Sequence, residues 1–115
     1  MTSASIGVHA ESIACAALVQ NGFTILGRRL RTKAGEIDAV AERDGLTVFV
    51  EVKARRSLAM AAAALQPRQQ ARLAGAAEIL LAEHTDWGRA GVRFDVLAVD
   101  QHGRVRRIQD AIRLN

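Results

Sequence analysis

Apolar and polar side chains alternate most regularly between Glu36 and Lys53. Ile37, Ala39 and Ala41 mark one segment, and Leu46, Val48, Val50 and Val52 mark the next. A period of two is that of a strand with one buried face. Asp44-Gly45 lies between the segments and has the chemistry of a two-residue type I′ hairpin turn. That turn predicts a register in which Arg43 pairs with Leu46 and Glu42 with Thr47. Asp38 then falls opposite Glu51, and Glu36 opposite Lys53. The four charged side chains share one face and the seven apolar residues the other. A slip of one residue would disperse both sets.

Other periodicities fill in the remaining elements. Residues 3–20 predict a helix with Ile6, Ala10, Ile13, Ala14 and Ala17 in one stripe, stopped by Asn21-Gly22. Phe23 to Leu30 predicts a strand. The alanine-rich stretch Ser57–Leu65 has almost no polar face and reads equally as a buried helical turn or a loop against the sheet. Pro67 suits the first turn of a helix running to about His84, which caps it. Asp86–Gly91 is a loop, Val92–Val99 a strand, and His102-Gly103 turns into a last strand over Arg104–Ile108. This order predicts one α/β domain over residues 1–115, with a mixed β-sheet, an N-terminal helix and a second long helix packed on it. Glu51 sits within Val48-Phe49-Val50-Glu51-Val52, a run apolar enough for a central strand.

Composition narrows the classes of function. Half of the 115 residues are hydrophobic, which excludes a disordered chain. No apolar run approaches the ~18–20 residues that span a bilayer, and Met1-Thr2-Ser3-Ala4-Ser5 lacks the start of a secretory signal. No membrane association is therefore expected. The single Cys15 excludes an internal disulfide and predicts a reducing, cytoplasmic setting. His9, His84 and His102 have no zinc-ligand spacing. A net charge of +4 favours an anionic partner, nucleic acid first. Arg28, Arg29, Arg31 and Lys33 precede the acidic tract, and Arg55 and Arg56 follow Glu-Val-Lys. These six are the candidate nucleic-acid-binding residues, placed to hold a phosphate backbone beside the acids. With no Tyr, one Trp and three Phe, base stacking is a poor driver of binding.

Two carboxylates facing each other across a hairpin repel unless a cation or hydrogen bonds join them. Mg²⁺, or Mn²⁺ in its place, suits Asp38 and Glu51, since it takes oxygen ligands at about 2.0–2.1 Å and keeps several waters. Lys53 on the same face could orient or deprotonate a water, or neutralise charge on an attacked phosphate. Of sixteen basic residues only Lys33 and Lys53 are lysines, and lysine can release a proton where arginine cannot. The competing reading is a solvated charged face with a Glu36–Lys53 ion pair. Glu11, on the flank of the first helix's stripe, is an accessory acid or a solvated boundary residue. Gln69 shares a stripe with Leu73, Ala76 and Leu80, so it faces inward and needs a polar partner. Asp95 predicts a structural hydrogen bond, while Cys15 and Trp87 predict packing.

The tracts Gly35-Glu36-Ile37-Asp38 and Phe49-Val50-Glu51-Val52-Lys53 resemble the PD-(D/E)xK nuclease superfamily. Nearly the whole chain, from Glu11 through Arg93-Phe94-Asp95-Val96, resembles the bacterial YraN-like family of uncharacterised predicted endonucleases, akin to Holliday junction resolvases. The resemblance implies a restriction-endonuclease-like fold. It implies Asp38, Glu51 and the Val52 carbonyl as metal ligands, Lys53 as the catalytic lysine and Glu11 as an accessory acid. It further implies cleavage leaving a 5′-phosphate and, because the related resolvases act as dimers, a homodimer. Arg29 stands where the family usually has asparagine, Gln69 where it has lysine, and Leu58-Ala59-Met60-Ala61 in place of its Phe-Gly. These departures leave the metal ligands intact and alter the residues that grip DNA. Three functions remain open on these residues: a nuclease acting on branched or damaged DNA, a nucleic-acid-binding module without turnover, and a scaffold.

Overall fold

The computed structural model describes residues 3–112, with side chains from His9 onward. Helix α1 (Ser3–Gln20) leads into β1 (Thr24–Arg31), β2 (Glu36–Arg43) and β3 (Leu46–Ala54). Short α2 (Leu58–Ala62), α3 (Pro67–Glu83), β4 (Val92–Val99) and β5 (Val105–Ile108) follow. The strands form one sheet in the order β1-β2-β3-β4-β5. Every neighbouring pair is antiparallel except β3 with β4, which is parallel. A parallel pair needs a long crossover, and α2 and α3 supply it. The architecture is a mixed α/β sheet with an N-terminal helix and a later long helix, compatible with a restriction-endonuclease-like fold. Among the described residues no helix is long and apolar enough to cross a membrane.

The hairpin has the predicted turn: Asp44 and Gly45 have φ of 54° and 84°, the positive pair that type I′ requires. Arg43 pairs with Leu46, Glu42 with Thr47 and Ala39 with Val50. The Gly45 amide donates to Glu42 Oε1 at 2.6 Å, and its carbonyl accepts from Ala90 N at 3.0 Å. A Cβ on Gly45 would lie 3.0 Å from Ala90 Cβ. Gly45→Ala is therefore expected to cost about 1–2 kcal/mol through its left-handed backbone, read as a lower urea midpoint. An unchanged midpoint would show that the turn relaxes to another type.

Both faces of the sheet are covered. Ala10, Ala14, Cys15 and Leu18 of α1 pack on Ala39, Ala41, Val48, Val50, Leu97 and Val99. On the opposite face Leu73, Ala76, Ala77 and Leu80 of α3 pack on Val40, Phe49 and Phe94. Phe49 stacks on Phe94 with ring centroids 5.5 Å apart and meets Trp87 edge-on at 6.4 Å. Central β3 is thus buried on both sides, as its sequence predicts.

Two expectations need correction, and one open reading is decided. Ile37 does not join Ala39 and Ala41 but packs with Val40 and Phe49 under α3. The alternation of faces resets at Asp38, just beyond the last β2–β3 pair, Ala39–Val50, where the Asp38 side chain rather than the β2 backbone meets β3. The buried stripe of α1 runs through Ala10, Glu11, Ala14, Cys15 and Leu18, while Ile13 and Ala17 are half-buried. That rotation, which turns Glu11 inward, replaces the predicted stripe; its member Ile6 lies outside the described side chains. The ambiguous alanine-rich stretch forms α2, whose first turn is capped by the Ser57 side chain accepting from Met60 N.

Candidate functional site

Beyond the Ala39–Val50 pair, β2 stops pairing with β3. Asp38 fills the opening: its Oδ2 accepts the Val52 amide at 2.8 Å. The bond satisfies the strand's unpaired N–H and holds the carboxylate against β3. Asp38 and Glu51 line one cleft of about 230 Å³, together with Gly35, Glu36, Gln69, Arg72 and Leu73. Lys53 Nζ lies 3.2 Å from Glu51 Oε1, and Lys53 is only 8% exposed. The predicted trio of Asp38, Glu51 and Lys53 therefore gathers where the hairpin opens, two of its members on the cleft wall and the third paired with Glu51.

The other candidates divide. Glu11 is 8% exposed, and its Oε1 is buried with no hydrogen-bond partner. Its Oε2 is 3.7 Å from Arg29 Nε. Glu36 does not pair with Lys53 as the hairpin register predicts. It turns to β1, 3.3 Å from Arg31 Nε and 4.0 Å from Arg29 Nε, because Arg31 is its partner in the β1–β2 ladder. Gln69 lines the cleft, but its Oε1 accepts the Gln66 amide at 3.0 Å and so caps α3. Arg28 bonds Ser12 Oγ at 3.2 Å, Arg55 bonds the Ala54 carbonyl, and Lys33 and Arg56 are exposed. Asp95 is structural as expected, accepting both Arg93 Nε and Nη2. His84 is the C-terminal residue of α3's cap and stacks on Trp87. Cys15 is buried, and burial pushes its thiol above the usual range, consistent with packing.

Sequence reasoning missed Arg72. It stands three residues after Gln69, so helical spacing alone places both on one face.

The electrostatics are those of crowded acids. Burial, with the neighbouring Asp38 carboxylate, pushes Glu51 up to about 7. Burial raises Asp38 too, against the opposing pull of the Val52 amide. Glu11 is raised by burial and then by Asp38. The oxygens of Asp38 and Glu51 on the cleft wall are hard donors of the kind that suits a divalent cation such as Mg²⁺. No group of three or more metal-ligating side chains is clustered among the described residues. Mg²⁺ commonly uses one or two carboxylates and completes its shell with water, so these two acids are the residues that would hold it.

Comparison with known proteins adds the family. The model of the uncharacterised protein family UPF0102 matches residues 10–99. The chain belongs to UPF0102. A UPF0102 protein of Granulibacter bethesdensis is 59% identical over 109 residues, covering 95% of this chain and 69% of that protein. One from Azorhizobium caulinodans is 48% identical over 108 residues, covering 94% and 82%. One from Mesorhizobium japonicum is 50% identical over 93 residues, covering 81% and 74%. The segment matched by the UPF0102 model contains Glu11, Asp38, Glu51, Lys53 and Arg72. The YraN-like resemblance is thereby established as family membership. "Uncharacterised" describes the family itself, so membership assigns no reaction.

The raised carboxylates give this UPF0102 protein a distinctive pH dependence. Between the unfolded value near 4.5 and the folded value near 7, the native state holds a proton on Glu51 that the unfolded chain has released. Stability therefore falls as pH rises through that window and levels off above it. The expected loss in metal-free protein from about pH 5 to about pH 8 is on the order of 2 kcal/mol. Thermal melts across that range check it. A melting temperature that climbs over the same interval would contradict the crowded-acid picture.

Proposed function

We propose that the protein is a Mg²⁺-dependent endonuclease, with Mn²⁺ as an alternative ion, hydrolysing phosphodiester bonds in DNA. Branched or damaged DNA is the candidate substrate. The observation that carries the reading is that Asp38 and Glu51 share the wall of one open cleft, with Lys53 Nζ 3.2 Å from Glu51 Oε1. Asp38, Glu51 and the Val52 carbonyl would hold the ion. When bound, it polarises a phosphoryl oxygen and acidifies a water. Lys53, anchored on Glu51, orients the attacking water or takes its proton. The Asp38–Val52 bond fixes one carboxylate before substrate arrives, and burial of both acids strengthens every charge interaction around them. Exposed Arg28, Arg31, Lys33, Arg55 and Arg56 supply non-specific backbone attraction. A cytoplasmic homodimer, as in the resolvases that the sequence resembles, completes the proposal.

Calorimetry with Mg²⁺ and Mn²⁺, joined to cleavage of labelled junction, flap, single-stranded and duplex DNA, tests it. The native protein is expected to bind a cation at millimolar concentration and to cut at least one substrate. Asp38→Ala and Glu51→Ala should both stop cutting. Equal activity in native protein and variants would identify a contaminant. DNA binding without cleavage at any metal concentration would leave the non-catalytic module as the better description. No cation binding at all would remove the site.

A further inference from the structure

Three of the seven residues lining the cleft are acids, which makes it repulsive to a phosphodiester. The cations nearest those acids are already engaged. Arg29 faces Glu11 and Glu36, Arg31 faces Glu36, and Lys53 faces Glu51. Arg72 is different. It is the one basic residue on the cleft wall, it is exposed, and among the described residues it makes no ion pair or side-chain hydrogen bond.

Its position is built rather than incidental. The turn between β1 and β2 packs directly on this part of α3. A Cβ on Gly35 would lie 3.5 Å from Arg72 Cβ and 3.7 Å from the Arg72 carbonyl oxygen. One on Gly75 would lie 3.1 Å from Ala34 Cβ. Gly75 thus allows turn and helix to approach closely, and Gly35 is in ordinary contact with Arg72. The turn is internally braced. Thr32 Oγ1 accepts the amides of Ala34 and Gly35, both at 3.1 Å, and donates to the Gly35 carbonyl at 2.8 Å. Lys33 is carried, exposed, on that braced turn. Arg72 thus stands on the cleft wall, and Lys33 lies two residues before Gly35, which also lines it.

We propose that Arg72, with Lys33 on the turn packed against it, forms a phosphodiester-binding subsite that seats the nucleic-acid strand entering the cleft. The subsite rests on the nucleic-acid reading above and names the residue that opposes the cleft's negative charge. Arginine suits the task because its planar fork can engage two phosphate oxygens, whereas lysine offers a point charge. Helix α3 is anchored by Leu73, Ala76, Ala77 and Leu80 in the core, so the guanidinium starts from a rigid base.

The test is fluorescence anisotropy with labelled duplex and four-way-junction DNA in EDTA, where metal-dependent cutting is silent. Salt is varied from about 50 to about 200 mM, where each phosphate contact contributes about 0.9 to the log–log slope. Arg72→Ala should weaken binding by about tenfold at low salt and reduce the slope by about one. Arg72→Lys should keep most of the slope and recover only part of the affinity. Arg89 is the control: it is exposed in the loop beside the Asp44-Gly45 turn, at the other end of the hairpin from the cleft. Arg89→Ala should leave affinity and slope unchanged. If native protein binds DNA and Arg72→Ala binds with the same slope, the subsite is wrong and the nuclease reading stands. If Arg72→Ala and Arg89→Ala lose slope equally, the cations act as a diffuse field and the subsite is again wrong. If native protein binds no DNA, the nucleic-acid reading falls, and the subsite with it.

Discussion

Lys53→Ala is expected to reduce Mg²⁺-dependent cleavage by about 10²–10⁴-fold, the usual weight of a positioned proton-transfer group, while cation binding persists. The split follows from the geometry. Lys53 is 8% exposed, and its ammonium lies 3.2 Å from Glu51. It therefore touches the acids without being an oxygen ligand. Removing it leaves both acids on the cleft wall and makes the pair more negative, which favours a cation. Lys53→Met retains the apolar stem that packs in the site and loses only the charge, separating chemistry from packing. Lys53→Arg retains charge but gives up no proton, so it should stay slow if the lysine is a base. Wild-type cleavage in Lys53→Met would show that the lysine is only a counter-charge for Glu51. Loss of calorimetric Mg²⁺ binding in the same variant would instead make it part of the ion's own support.

The largest expected loss of stability lies away from the cleft. Asp95→Ala should cost about 3–5 kcal/mol, the range for breaking a buried charged pair from one side. Asp95 is 2% exposed and sits in β4 beside Val50 of central β3. Its carboxylate accepts Arg93 Nε at 2.8 Å, Arg93 Nη2 at 2.9 Å and the Asp110 amide at 3.0 Å. The Arg93 guanidinium is held more firmly charged by those hydrogen bonds, against the opposing effect of burial. The Asp110 contact also brings the segment after β5 back over the sheet, where Ala111 N bonds the Phe94 carbonyl and Ile112 is buried. Truncation thus removes a bidentate pair and loosens that segment together. Asp95→Asn keeps one acceptor and should cost roughly half as much. Urea unfolding of the two variants checks the order. A loss below about 1 kcal/mol for Asp95→Ala would mean that water replaces the carboxylate, and that Arg93 turns outward without penalty.

The hairpin was legible because its information is local. Asp44-Gly45 admits the two positive φ values of a tight turn, and strand alternation carries that register back to Ala39, opposite Val50. The approach of Asp38 to Glu51 lies beyond the last paired residues and depends on the Asp38–Val52 hydrogen bond that replaces the ladder there. Both long helices were also readable, from periodicity and from punctuation at Gly22 and Pro67. The ion pairs of Glu36 are not legible in the hairpin, because its partners come from β1, whose register with β2 shifts between Ile25 and Gly27. Glu11 could be placed only on a stripe boundary, since a helix of small alanines can rotate with little change in its apolar pattern.

Sequence alone determined the elements, the register of the hairpin and the identity of its acidic-lysine trio, because turn chemistry and side-chain period act over a few residues. Tertiary structure decided what surrounds that trio. Packing of α1 rotated Glu11 inward, pairing of β1 with β2 set Glu36 beside Arg31, and α3 brought Arg72 to the cleft wall. Those placements depend on contacts between segments tens of residues apart. There, close packing of two sheet faces selects one arrangement among several that the local pattern permits.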